Sequence, residues 1–190
     1  MGQSISDHLT SVLEQLQQLP AQEQLLVADF VNLLMVRTIA EREATWFWSV
    51  IDFYNHDTPD RDASVMRIVR ELSAMPVDHI NLFADVLSDK LKALDTPAMY
   101  EVARRGTAGS ADGFLYARCA AVARGREFYE NLLEDTSLFP VDGDAEQLLG
   151  VAEEAHSIKT GESDYPHTPR SAYETRFNKE AWGEKAISFE

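Results

Sequence analysis

The sequence is short of cysteine, of basic residues and of long apolar runs, and each shortage excludes something. Cys119 is its one cysteine, so no internal disulfide can form and the fold must rest on its core, as suits a reducing compartment. Runs such as LLMV at 33–36 fall far short of the roughly 20 apolar residues that span a bilayer, so no membrane helix is expected. The first residues carry neither a basic n-region nor a continuous apolar h-region, and a cytoplasmic location is the expectation. MGQSIS does fit the loose N-myristoylation pattern, but no basic cluster follows to strengthen so weak an anchor. With 17 Lys and Arg against 32 Asp and Glu, the formal net charge is -15. That balance argues against nucleic acid and favours solubility or a basic protein partner. Segments of period-two alternation are also missing, so the predicted fold class is all-α.

What is present is helical spacing, almost from end to end. Val12, Leu13, Leu16 and Leu19 form one stripe, with Ser4 and Asp7 as a candidate capping box. Pro20 opens a second helix carrying Val27, Phe30, Val31, Leu34 and Ile39. TWFWSVIDFY reads as a third, joined to the second near Thr38 and Glu41, although one continuous helix over 21–55 fits the same residues. Its aromatic group, Trp46, Phe47, Trp48, Phe53 and Tyr54, cannot all face one core. NHDTPD at 55–60 is a break, followed by a helix over 62–74. Pro76 starts the cleanest amphipathic stripe: Ile80, Phe83, Ala84, Leu87, Leu91 and Leu94. Thr96-Pro97 caps a short helix, Ser110 or Asp112 starts another, and Gly125 interrupts it. DTSLFPVDGD is loop. Asp144 and Gln147 open a last long helix that Gly161 ends. The expected architecture is a compact bundle of about eight helices: an N-terminal hairpin over 1–42, a core domain over 43–162, and a largely irregular tail over 163–190. In that tail Tyr165, Tyr173, Phe177 and Trp182 are placed to pin the chain across the helices. A short echo aligns QLPAQEQLLVADFV with AMPVDHINLFADVL, Pro20 on Pro76 and Asp29 on Asp85; two such joints converging on one capping solution explain it as well as duplication does.

RRGTAGSADGFLYARCAAVARGR, residues 104–126, is the stretch most suggestive of a site. It holds five arginines and four glycines in an acidic chain. No strand precedes the glycines and no lysine follows them, so neither a P-loop nor a dinucleotide fingerprint fits. The structural reading is a helix–helix connection. The functional one is a small-anion site with Arg104, Arg105, Asp112, Arg118 and Arg126 as ligand-binding residues. Arg118, among Phe114, Leu115, Cys119 and Val122, should either snorkel to water or pair with a carboxylate inside the fold. Residues 127–164 reverse the sign: eleven acidic residues against Lys159. The two segments either neutralise each other or present a two-signed surface to a partner. Glu153 and His156 make one Glu-x-x-His element, but a helical di-metal centre needs a second copy and further glutamates, so no metal and no cofactor are expected.

TWFWSVID, SADGFLYARCAAVARGREFY and LLGVAEEAHSIKTGE together resemble an uncharacterised bacterial family, the domain of unknown function numbered 4240. Phe47, Trp48 and Ile51 match its first motif. Ser110, Asp112, Phe114, Arg118, Gly125 and Arg126 match the second, and Thr160 and Gly161 the third. The resemblance spans about residues 44–162. Ala117 and Ala120 depart from it, standing where bulky aromatics are usual and leaving room for the hairpin or the tail. It implies a helical domain and a bacterial origin, and no activity. The N-terminal hairpin separately resembles short dimerisation helices found near bacterial antitoxins.

These residues assemble no convincing catalytic set, and the reading leans away from an enzyme. The expectation is a non-catalytic, protein-binding module, immunity-like or antitoxin-like. It would bind a protein partner, a basic one by charge complementarity, or a second copy as a homodimer, and neither nucleic acid nor membrane. The alternative is a small anionic-ligand-binding protein or enzyme with its site around 104–126.

Overall fold

The computed structural model describes residues 5–187, with side chains from residue 10 onward. The Ser4–Asp7 capping box and the MGQSIS pattern therefore lie outside the described residues. Among those residues there are nine α-helices and no strand. The chain divides into two units, residues 1–42 and 43–190.

The first unit holds α1 (Ile5–Gln17) and the beginning of α2 (Ala21–Ile51). They meet at the Leu19–Pro20 turn, where the Gln24 side chain donates to the carbonyls of Gln17 and Leu19. The carbonyl of Pro20 accepts from Glu23 and Gln24, the role expected of a proline just ahead of a helix. The expected joint near residue 40 does not exist: α2 is continuous to Ile51. No glycine or proline interrupts 21–51, and Arg37 pairs with Glu41 one turn on at 2.9 Å. Thr38, proposed as a cap, instead donates its hydroxyl to the carbonyl of Leu34 inside the helix.

The second unit is built around a core that begins with Phe47, Trp48, Val50 and Ile51 at the end of α2. Phe53 in the same aromatic group stays 40% exposed, which resolves the crowding that the sequence implies. The helices α3 (Arg61–Ala74), α4 (Val77–Leu94) and α5 (Pro97–Ala103) follow, then α6 (Ala111–Ala123), α7 (Gly125–Glu134), α8 (Val151–Thr160) and α9 (Lys179–Trp182). Local chemistry sets each boundary. Asp60 caps α3 by accepting from Asp62 and Ala63, Thr96 caps α5 through Met99, and Ser110 caps α6 through Gly113. Gly125 at φ +85° breaks α6 from α7, and Gly161 at φ +78° ends α8 in the left-handed conformation that glycine takes most readily. Asp144 and Gln147 do not open an α-helix directly; a 3-10 segment, Glu146–Gly150, precedes α8. The α4 stripe is buried throughout, as its spacing predicts.

Eight of the thirteen residues of α6 are buried, so this helix lies deep in the unit. The 138–145 loop passes close over Ala120: a Cβ on Gly143 would come within 2.8 Å of the Ala120 Cβ. Residues 163–187 form an extended strap across the helices, largely irregular apart from α9 and a final 3-10 turn.

Candidate functional site

The glycine loop is committed to packing. The amide of Thr107 donates to Asp142 Oδ1 at 3.1 Å, and that of Ala108 to the carbonyl of Val141 at 3.1 Å. Ala108 is buried, and a Cβ on Gly106 would sit 2.7 Å from that of Val141. The glycine there permits close approach of two loops, and Ser110 takes the first-turn amide that an anion would need.

The five residues predicted to bind an anion do not converge. Arg104 pairs with Glu101 at 3.2 Å and Arg126 with Glu130 at 2.7 Å, all four well exposed. Arg105 and Asp112 are exposed as well, while Arg118 is wholly buried. A nearby open cavity of about 600 Å³ is lined by Tyr54, His56, Arg124, Asp142 and Asp144 and by none of the five.

Arg118 neither snorkels nor pairs directly with a carboxylate. Its Nη1 donates to the carbonyls of Leu91 at 2.9 Å and Tyr173 at 2.8 Å, and Nη2 to Thr175 Oγ1 at 3.1 Å. Its guanidinium lies 4.8 Å from the Phe114 ring centre. Burial pushes its pKa down, and the field of Asp95 opposes that shift. Asp95 is fully buried in turn and accepts from the amides of Arg176 at 3.0 Å and Asn178 at 2.9 Å and from Trp182 Nε1 at 3.0 Å. Two buried ions of opposite sign thus grip the strap through neutral partners, Arg118 by the Tyr173 carbonyl and the Thr175 hydroxyl and Asp95 by N–H groups. A second clip lies further up. Asp85 Oδ1 accepts from the Arg170 amide and sits 2.9 Å from His167 Nε2. Arg170 also donates to Asp89 and Glu43, and Ser171 to Asp89. Besides Arg118, the sequence points to Tyr173 and Trp182 as pins of the tail, and both serve this grip; Asp95, Asp89, Arg170, Arg176 and Asn178 carry no such signal. Their partners lie 81 to 127 residues apart, so no local spacing signals them.

The two oppositely charged segments do not neutralise each other. Of the arginines in 104–126, Arg126 alone forms an ion pair with the acidic segment among the described residues. Arg61, on α3, supplies that segment's other cation, at Asp144. The remaining nine carboxylates of 127–164 form no ion pair among the described residues. Some of them line an open cleft of about 590 Å³ between α3, α6 and the start of α8, where Asp62, Glu146 and Glu154 surround Tyr116. Partial desolvation, then the carboxylates of Glu146 and Asp112, hold the Tyr116 phenol above its ordinary value. Every ionisable group on this lining is an acid, so the cleft attracts cationic donors.

The remaining chemistry-bearing residues are structural. Burial pushes the Cys119 thiol up to about 12, against a smaller opposing effect of Arg118, which leaves it inert as a nucleophile at neutral pH. His156 is buried under Tyr165 at 5.2 Å between ring centres, whereas Glu153 is exposed. No group of three potential metal ligands gathers among the described residues.

A family model described as Protein of unknown function (DUF4240) matches residues 43–165. The chain belongs to this family. The DUF4240 segment begins where the second unit begins, and it ends within the strap, before either of the strap's two clips. Most of the DUF4240 motif residues have architectural roles here. Phe47, Trp48, Ile51 and Phe114 fill the core, Ser110 and Gly161 cap helices, and Thr160 bridges the His156 carbonyl to the Glu162 amide. Neither the curated proteins nor the solved structures contain a match to the chain.

Proposed function

We propose that this DUF4240 protein is a non-catalytic, protein-binding module, immunity-like or antitoxin-like, that holds a basic protein partner against its acidic face. One observation carries the reading: the carboxylates of 127–164 stand largely without cations, and a cleft of about 590 Å³ gathers Glu146 and Glu154 with Asp62 of α3. A lysine or arginine of the partner would enter this cleft. There it would form charge-assisted hydrogen bonds, while the wider negative field speeds encounter.

The test compares the full-length chain with a variant carrying Asp62→Lys, Glu146→Lys and Glu154→Lys, each used to capture proteins from the native host at low and physiological salt. The reading expects a basic protein retained by the native chain, lost by the variant and weakened by salt. Equal retention by both, or none by the native chain at low salt, overturns it.

A further inference from the structure

Among its described side chains, the first unit has no core of its own. From Thr10 to Arg42 not one is buried, and only Leu16, Leu19 and Val27 are even half-buried. Eleven large apolar residues here are between 45% and 67% exposed, Val31 the least and Leu33 the most. Beyond the turn, α1 and α2 leave between them an apolar groove of about 340 Å³, lined by Leu13, Leu16, Val27 and Val31. Helices of this kind take most of their stability from burying an apolar face, and this face is left open.

The open face has a definite shape. At 100° per residue, Leu33, Leu26, Phe30, Leu34, Val27 and Val31 occupy an arc of about 160° on α2, with Phe30 and Leu34 near its middle. The α1 side of the groove reaches only the Val27–Val31 margin of that arc. Asp29 and Asn32 lie on the opposite side, together with the exposed Leu25, Val36 and Ile39. Between Gln24 and Val36, Asp29 is the single charged residue.

We propose that a second copy of this chain covers this face, two hairpins closing into a four-helix bundle about a two-fold axis. Area and charge both favour that occupant. The exposed apolar side chains of the whole hairpin, on α1 and on both sides of α2, amount to on the order of 1,000 Å² per chain, against the ~300–600 Å² patch a monomer carries; a bundle closing around these helices would bury about the ~800 Å² per partner of a standard interface. A two-fold pairing sets the same patch against itself, which suits a face whose middle is uncharged and whose charges, Glu23, Arg37 and Glu41, stand only at its ends. The basic protein proposed for the acidic cleft finds no carboxylate in that middle. A lipid surface is disfavoured too, since the polar side lacks the Lys and Arg of interfacial helices. The pairing is independent of the acidic cleft: either can fail alone.

Sedimentation of the purified full-length chain over a wide concentration range tests the proposal. The expected species is twice the 21.4 kDa of one chain. Phe30→Glu with Leu34→Glu should weaken association roughly 100-fold or more. Ile158→Glu, at an exposed apolar position of the second unit, should leave it unchanged. All three tryptophans, Trp46, Trp48 and Trp182, lie within 43–190, so an unchanged near-UV spectrum shows that the variant's core is folded. A native chain that stays monomeric at high concentration overturns the proposal. So does a dimer that survives the double variant, or a monomer that binds neutral lipid vesicles through the same residues.

Discussion

Arg118→Ala is the change that most directly probes how this protein holds its strap. The guanidinium is fully buried and serves the Leu91 carbonyl, the Tyr173 carbonyl and the Thr175 hydroxyl. Alanine removes all three donors and leaves a space that Phe114 alone cannot fill. Each buried acceptor left unmet costs ~1–3 kcal/mol. The opposing field that Arg118 shares with the buried Asp95 carboxylate is lost as well. These costs overlap, because a released strap lets the Tyr173 carbonyl and Thr175 reach water. The working value is about 4 kcal/mol, a large fraction of the ~5–15 kcal/mol that stabilises a domain. In urea, followed by tryptophan fluorescence, the midpoint should fall by about 2 M. Hydrogen exchange should show the Arg176 and Asn178 amides, which Asp95 holds, losing protection before the α4 amides do. Asp95→Asn turns one acceptor into a donor facing an N–H group, and its cost should not add to that of Arg118→Ala. A loss under ~1 kcal/mol with the strap amides still protected would refute the two-ion grip.

Three further outcomes are expected. The Cys119 thiol, raised to about 12, should resist alkylation at pH 8 until the chain unfolds. Between the unfolded thiol's pKa near 9 and 12, the unfolded chain releases a proton that the native one keeps, so this contribution to stability is whole below pH 9 and declines above it by ~1.4 kcal/mol per unit. A Cys119→Ala variant should show a shallower alkaline decline; equal slopes would contradict the burial argument. Gly106→Ala drives a Cβ into Val141 and should cost ~1–3 kcal/mol by denaturant titration, whereas a free phosphate-binding loop would tolerate it. Ala40→Pro should cost ~3 kcal/mol and lower the far-UV helical signal, because it interrupts α2; a joint at that point would absorb it.

Legibility followed the range of the interactions. The α4 stripe, the Thr96 and Ser110 caps and the glycine breaks at 125 and 161 are set within a turn or two of chain, so spacing and residue type were enough to place them. The sequence leaves a joint at Thr38–Glu41 and one continuous helix over 21–55 both open; the helix is continuous because, with no breaker present, it outcompetes the capping pattern. Arg118 was recognisable as an anomaly on an apolar helix, but its partners were not. They are carbonyls on α4 and on a strap 55 residues away, and any residue type supplies a carbonyl. The acidic segment was visible in composition, while the absence of cations beside it was not, since Arg61 and Arg104 could have turned either way.

Composition left this chain acidic and without an internal disulfide, and periodic apolar spacing, caps and breakers made it helical before any packing took place. Packing alone determined which side chains the helices bury, that Arg118 and Asp95 hold the strap from within, and that the hairpin leaves the face around Phe30 and Leu34 exposed. The reason is distance along the chain. A helix is dictated by neighbours three or four residues apart, whereas a buried charge or a bare apolar face depends on what arrives from dozens of residues away, or from another molecule.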